Sequence, residues 1–338
     1  MYLAFYGLSE KPFNATPDPK FLYLTPGHRD ALAQLLYGVR ENKGFIVLTG
    51  EVGTGKTTLL QALLQRLDGN AAVAFIFNST LSFDGVFEYM LEDFGIAKTA
   101  SSQAQRLFVL NNFLIERRRA GQNAVLILDE AQNLDPPTLE KVRLLSNFET
   151  PTAKLLQILL VGQPELEAKL QLPELRQLRQ RIGLRCSIPV LTHQETPDYI
   201  RTRLRIAGAR DLGLFTDRAV ARISQYAGGI PRVINIVCDH CLLYGYADQK
   251  RKIDCDIVEQ AIEYFEEGKR QRRGGRSLSW RRALAPVEWW VVALMAALVV
   301  SGMAVLALRP EALERVSSLV AKYLFDLGRS VRGLLAIR

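Results

Sequence analysis

Cysteine and histidine are scarce in this chain, with four and three among 338 residues. The one close pair, Cys238 and Cys241, brackets His240. No second C-x-x-C or Cys/His pair accompanies it, so a zinc site lacks half its ligands, and no thioredoxin-like strand precedes it to support a redox dithiol. On a helix a spacing of three puts both sulfurs on one face, which suits core packing. Internal repeats and low-complexity tracts are lacking before residue 268. The N-terminus, MYLAFYGLSEKPF, lacks the basic-then-apolar start of a secretory signal. An excess of one charge is lacking over most of the length: residues 1–268 carry 30 basic and 31 acidic side chains. The composition, 48% hydrophobic and 23% charged, excludes a mostly disordered chain, a collagen-like chain and a polytopic membrane protein.

A net charge of +8 nevertheless remains, and it sits near the C-terminus. Residues 269–282 carry seven basic and no acidic side chains, and residues 309–338 carry six basic and three acidic. Between them, Trp289 to Leu308 form a run of twenty residues without a charge. Twenty helical residues span about 30 Å, the thickness of a bilayer's hydrocarbon layer. Arg281 and Arg282 precede the run, Trp289 and Trp290 stand at interface level, and Arg309 closes it. The basic flank on the N-terminal side predicts that the body lies in the cytoplasm and the tail across the membrane. The four cysteines then share a reducing compartment. The tail repeats apolar residues at three and four, from Leu313 to Leu335, as an interfacial or partner-docking helix would.

Apolar runs and periodicity place the elements of the body. Strands are expected at 44–50, 73–78, 124–129, 155–162 and around 184–188, separated by helices at 27–41, 55–67, 83–95, 101–120 and 137–147. Pro12, Pro17 and Pro19 exclude a long helix before residue 26. Strands alternating with helices imply an α/β domain with a parallel sheet covered on both faces. After Thr192 only helices are expected, at about 194–207, 216–227, 230–247 and 254–265. The organisation read from this pattern is an α/β core with its N-terminal strap at 1–192 and a helical lid at 193–267. A basic linker at 268–288, a transmembrane helix at 289–308 and a short tail at 309–338 follow.

Chemistry enters at Gly50-Glu51-Val52-Gly53-Thr54-Gly55-Lys56-Thr57, followed by Thr58. This is G-x-x-x-x-G-K-[ST] between an apolar strand and a helix, the context that gives the motif meaning. Glycines let backbone N–H groups close around phosphate oxygens at a helix N-terminus. Lys56 is placed to reach the outer phosphates, and the Thr57 hydroxyl to ligate Mg²⁺. The strand AVLIL ends in Asp129-Glu130. An acid at the carboxyl end of a strand beside the phosphate loop fits Asp129 to hold Mg²⁺ through water, and Glu130 to polarise an attacking water. ATP and Mg²⁺ are the expected ligands. Arg117, Arg118 and Arg119 form a basic knot at a helix end, where positive charge is favourable in any protein.

These motifs resemble those of AAA+ ATPases. Six blocks in order (FYGLSEKPFNATPDPKFLYLTPGH, GEVGTGKTT, LDEAQNL, VRLLSNFET, LVGQPEL and GIPRVIN) resemble the ExeA/GspA/MshM group, ATPases associated with general secretion and type IV-like pili. The resemblance covers about 1–267 and implies further roles. Gln163, after the fourth strand, stands where a polar sensor touches the γ-phosphate. Arg232 in GIPRVIN matches the second sensor, contacting the γ-phosphate in cis. Arg181, with Arg179 as its competitor, stands where an arginine reaches a neighbouring subunit's nucleotide, so a ring or dimer is expected. Phe21, Leu22, Tyr23 and His28 are candidates for the adenine pocket or for packing the strap on the core. The ExeA branch carries a periplasmic peptidoglycan-binding domain after its span, and the thirty residues after 308 are too few for one. The expected activity is ATP hydrolysis at the bacterial inner membrane, driving assembly of a secretion, pilus or polysaccharide-export system, with envelope components and the membrane as partners. The alternative is a DNA-binding AAA+ regulator of transposition forming ATP-dependent oligomers. The neutral body and the apolar run count against nucleic acid.

Overall fold

Runs of about six apolar residues are too short for stable helices and can satisfy their backbone only by pairing. In the computed structural model, which describes residues 2–14, 18–67, 69, 71–77, 81–96 and 102–274, four such runs and one alternating edge segment pair in one parallel sheet. They are β1 (Phe45–Gly50), β2 (Ala71–Ile76), β3 (Asn123–Leu128), β4 (Leu156–Gly162) and β5 (Ile182–Ile188), in spatial order β2-β3-β4-β1-β5. The central strands β1 and β4 are buried along their whole length, while the edge strand β5 alternates between covered and exposed residues. That difference follows from position: a central strand in a parallel sheet is covered on both faces.

The helices are α1 (Tyr2–Tyr6), α2 (Pro26–Arg40), α3 (Lys56–Leu67), α4 (Phe83–Asp93), α5 (Gln103–Arg119), α6 (Pro136–Leu145), α7 (Pro164–Leu170), α8 (Arg176–Arg181), α9 (Glu195–Ile206), α10 (Asp217–Ala227), α11 (Pro231–Ala247) and α12 (Cys255–Gly274). The strand period of two divides the core into layers. Phe45, Val47, Leu126, Leu128, Ile158 and Leu160 face one side, with residues of α4, α5 and α6. Ile46, Leu48, Val125, Ile127, Leu159 and Val161 face the other, with α2 and α3. At about 25 cal/mol per Å² of apolar surface, each large side chain buried here contributes roughly 1.5–3 kcal/mol.

A third cluster joins the helices after residue 192 to the N-terminal segment. Tyr2, Tyr6, Leu8, Phe13 and Phe21 are buried with Tyr199, Leu204, Ile223 and Val237. Polar bonds tie the same surfaces: Tyr2 OH donates to Asp239, Tyr6 OH to the Lys250 carbonyl at 3.1 Å, and Ser9 N to the Ala207 carbonyl at 2.8 Å. Residues 1–265 cluster as one compact unit.

Four details differ from the expected elements. Strand β2 (Ala71–Ile76) lies two residues ahead of the expected 73–78. A one-turn helix, α1, forms ahead of Pro12, where no element was placed and only a long helix was excluded; five residues are too few for periodicity to reveal. The edge strand β5 starts at Ile182, two residues early. Helix α12 runs past 265 to Gly274, the last described residue, because Glu, Lys, Arg and Gln after residue 265 are good helix formers. Among the described residues no helix is long and apolar enough to cross a membrane. The apolar run 289–308, the linker beyond 274 and the tail 309–338 lie outside the described residues.

Candidate active site

Parallel register brings three strand ends to one edge. Thr49 pairs with Gly162, and Leu128 with Leu160, so the turns after β1, β3 and β4 are neighbours. Those turns carry Gly50–Thr57, Asp129-Glu130 and Gln163. Ligands of open parallel sheets gather at this carboxyl edge.

The loop after β1 needs two left-handed glycines, Gly53 (φ +83°) and Gly55 (φ +100°). Gly53 has a second reason to lack a side chain: a Cβ there would lie 2.6 Å from the Cβ of Arg232. The loop and the lid thus touch, and Arg232 N donates to the Gly53 carbonyl at 3.2 Å. Thr54 is buried and closes the loop, its hydroxyl donating to the Glu51 carbonyl at 2.9 Å. His28 supports the loop from α2. Its Nε2 donates to the Thr54 carbonyl at 3.1 Å, and its Nδ1 lies 2.7 Å from the Thr25 hydroxyl.

Lys56 opens α3 and is 7% exposed. Its Nζ donates to the carbonyls of Gly50 at 2.8 Å and Glu51 at 3.1 Å. Burial pushes the ammonium below its ordinary pKa, and the charges of Glu130, Asp129, Glu51 and Glu165 oppose that. Asp129, 6% exposed, is pushed the other way: burial raises its carboxyl above the usual range, although it accepts from Glu130 N at 2.9 Å. Burial also works upward on Glu130. There, donors on Gln132 and Gln163 and the charge of Lys56 outweigh it, and the carboxyl lies below its ordinary value. Gln163 Nε2 donates to Glu130 Oε2 at 3.0 Å.

A cavity of about 370 Å³ lies against these groups, within the range of small-molecule sites. Val52 through Thr58, Glu130 and Arg232 form its floor, and Phe21, Leu22, Tyr23 and His28 form part of its wall. Gly50 and Glu51 bind Lys56 from beneath; Asp129 and Gln163 reach the cavity through Glu130. Both packing and lining describe Phe21, which is buried in the lid cluster and has the Arg203 guanidinium 4.8 Å from its ring centre. Arg181 is not brought to the cavity. It donates to Ser146 Oγ and Asn147 Oδ1, both at 2.6 Å, at the end of α6. Arg179 bonds Gln171 Oε1 at 2.8 Å. Cys238 and Cys241 lie fully buried among the lid helices.

Sequence reasoning missed Gln132, Lys169, Tyr199, Arg203 and Asn235. Arg203 donates to the Pro12 carbonyl at 2.6 Å and to Tyr199 OH at 3.1 Å, and Tyr199 OH donates to Asn235 at 2.8 Å. Burial pushes the Tyr199 phenol up. Two spacings held a signal: Asn235 follows Arg232 by three and Arg203 follows Tyr199 by four, each pair on one helix face.

Comparison with known proteins agrees with this geometry. A family model described as an AAA domain matches residues 39–170. General secretion pathway protein A of Aeromonas hydrophila is 42% identical over 254 residues, 75% of this chain and 46% of that protein, so the chain spans about half the length of this relative. Among solved structures, Cdc6p of Pyrobaculum aerophilum matches with a TM-score of 0.56 at 20% identity, covering 74% of this chain and 71% of that one. The ORC1 protein of Aeropyrum pernix, solved in complex with DNA, matches with 0.56 at 16% identity, covering 76% and 70%. At these identities the likeness to the solved structures is one of fold.

Proposed function

The chain belongs to the AAA+ ATPases of the general secretion pathway protein A group, and from that membership we propose that it is a membrane-anchored ATPase. In this reading it binds and hydrolyses Mg-ATP to drive assembly of an envelope secretion, pilus or polysaccharide-export system. The observation that carries the ATPase reading is Lys56. It is a buried ammonium at the head of a helix, bonded to loop carbonyls and sharing a cavity wall with Glu130 and Arg232.

The residues fit the nucleotide and its metal. The Gly53–Gly55 loop presents backbone N–H groups at a helix N-terminus, where phosphate is favoured. Lys56 exchanges its carbonyl partners for β- and γ-phosphate oxygens. Thr57 and Asp129 offer a hydroxyl and a carboxylate, the hard oxygen donors that suit Mg²⁺. Asp129 is a buried carboxylate whose charge burial disfavours, which a nearby dication would offset. When bound, the ion neutralises charge on the β- and γ-phosphates. Glu130, held ionised, accepts a hydrogen bond from the attacking water and aligns it with the γ-phosphorus. Arg232 binds the γ-phosphate from the lid, and Gln163 from the end of β4. Because α11 begins at Pro231 and bonds Gly53, loss of the γ-phosphate releases one of the lid's attachments. Arg181 acts in trans, which makes turnover depend on a homo-oligomer. The apolar run 289–308 anchors the chain in the inner membrane with the ATPase on the cytoplasmic side.

Two substitutions test the chemistry. Lys56→Ala should abolish nucleotide binding. Glu130→Gln should bind nucleotide as the wild type does and lose turnover by about 100-fold or more. Wild-type turnover in Glu130→Gln would remove Glu130 from the mechanism.

A further inference from the structure

Glu130 stands in an unusual place. Its backbone is left-handed (φ +54°, ψ +37°) although it is not glycine, a conformation that persists only where its surroundings enforce it. Asp129 Oδ1 accepts from Glu130 N at 2.9 Å, and Asn133 N donates to the Glu130 carbonyl at 2.9 Å. The turn that follows, Ala131–Asn133, carries Gln132.

Both ends of the Gln132 amide are engaged. Its Nε2 donates to Glu130 Oε2 at 2.6 Å, and its Oε1 accepts from Gln163 N at 3.1 Å. The Gln163 side chain returns to the same Glu130 oxygen. Glu130, Gln132 and Gln163 therefore form a closed ring of hydrogen bonds linking the ends of β3 and β4. The ring has its own supports. Lys169 on α7 donates to the Gln132 carbonyl and, at 2.7 Å, to the Leu134 carbonyl. Gly162 leaves room for the amide, since a Cβ there would lie 2.7 Å from Gln132 Oε1.

We propose that Gln132 is a positioning residue that keeps the Glu130 carboxylate aimed at the attacking water throughout turnover. Two amides share one carboxylate oxygen, and their duties differ. Gln163 must turn toward the γ-phosphate to act as a sensor, and doing so breaks its bond to Glu130. Gln132 has no such second duty, because its Oε1 is held by backbone N–H and its own backbone by Lys169. It alone of the two can hold the carboxylate while Gln163 moves. The role rests on the reading of Glu130 as the water-polarising group.

The test measures ATP turnover and nucleotide affinity in the full chain. Gln132→Met keeps the shape and removes both hydrogen bonds. Gln132→Glu keeps the acceptor for Gln163 N and replaces the donor to Glu130 by a second carboxylate, so like-charge repulsion adds to the lost bond. Both should lower kcat by about tenfold, the cost of a misaimed group, with KM and nucleotide Kd within about twofold of wild type. In a Glu130→Gln background, Gln132→Met should add nothing. A purely structural role would instead raise KM and Kd as kcat falls, and would persist in that background. Wild-type or faster kcat in Gln132→Met, with Glu130→Gln inactive, overturns the role of Gln132 alone. Wild-type kcat in Glu130→Gln overturns the reading of Glu130 and this role with it.

Discussion

Asp129 shows how much this site gives up in stability to keep an ionised group buried. Burial lifts its carboxyl pKa above the value it has in the unfolded chain, against the pull of a backbone N–H and of Lys56. An acid raised in this way binds its proton more tightly in the folded state. Below the ordinary carboxylate range both states are protonated and there is no cost. As pH rises through the folded-state pKa the cost grows to its full size, so the ligand-free protein loses stability over that window. Asp129→Asn keeps the acceptor for Glu130 N and removes the charge. It should flatten this pH dependence and, at neutral pH without nucleotide, raise stability by about 1 kcal/mol, a common gain when a functional site is relaxed. Thermal unfolding across pH measures it, and a lower melting temperature in the variant would contradict the argument. The pair Asp129-Glu130 was legible in the sequence because its meaning is local: acids at the end of an apolar run. Gln132 was not. Its meaning lies in bonds to Gln163 and Lys169, 31 and 37 residues away, which no local pattern encodes.

Helix ends and strand ends do the aligning, and one joint between them is unusually tight. After β5 the chain reaches Leu191, whose N donates to the Gly229 carbonyl at 2.8 Å. A Cβ on Gly229 (φ +74°) would lie 2.0 Å from the Leu191 carbonyl oxygen, against backbone that cannot rotate away. Gly228, which caps α10 (φ +57°), has open space at the same position. The two neighbours separate backbone preference from contact. Gly228→Ala should cost about 1–2 kcal/mol for the left-handed conformation alone. Gly229→Ala should cost ~2–5 kcal/mol, the same contribution plus overpacking. Urea unfolding of the two variants checks the difference, and equal costs would mean that the joint yields. Elements of this kind divide in how well sequence foretells them. Central strands β1, β3 and β4 are continuous apolar runs because both faces are covered, and their places were readable. The start of β5 was not, since Ile182 pairs with Phe45 at an edge, the register then shifts past Gly183, and one face stays wet, so the pattern is broken. Nor was the packing of α1 on the lid, which depends on Tyr2 and Tyr6 meeting Asp239 and Lys250 across the chain.

Charge is arranged at the scale of the whole molecule, and it separates two ways of meeting a polyanion. A body with 30 basic and 31 acidic side chains over residues 1–268 presents no net attraction to DNA. The seven basic residues of 269–282 stand beside the apolar run 289–308. A basic collar alone attracts anionic headgroups by roughly 1 kcal/mol per residue and is screened within a Debye length, about 3 Å at 1 M salt. An apolar segment of twenty residues, once inserted, owes its hold to burial in hydrocarbon, which salt does not weaken. The two contributions therefore part under a salt wash. Membranes from cells making the full chain should retain it after 1 M salt, whereas a chain ending at residue 288, with the collar and no run, should be released. A chain ending at 268 should stay in the supernatant at low salt and bind duplex DNA no better than a neutral protein of its size. Release of the full chain by salt would make the association peripheral and leave the run without its role. Steep, salt-dependent DNA binding by the 1–268 fragment would return the molecule to the DNA-binding class that its overall charge of +8 first suggests.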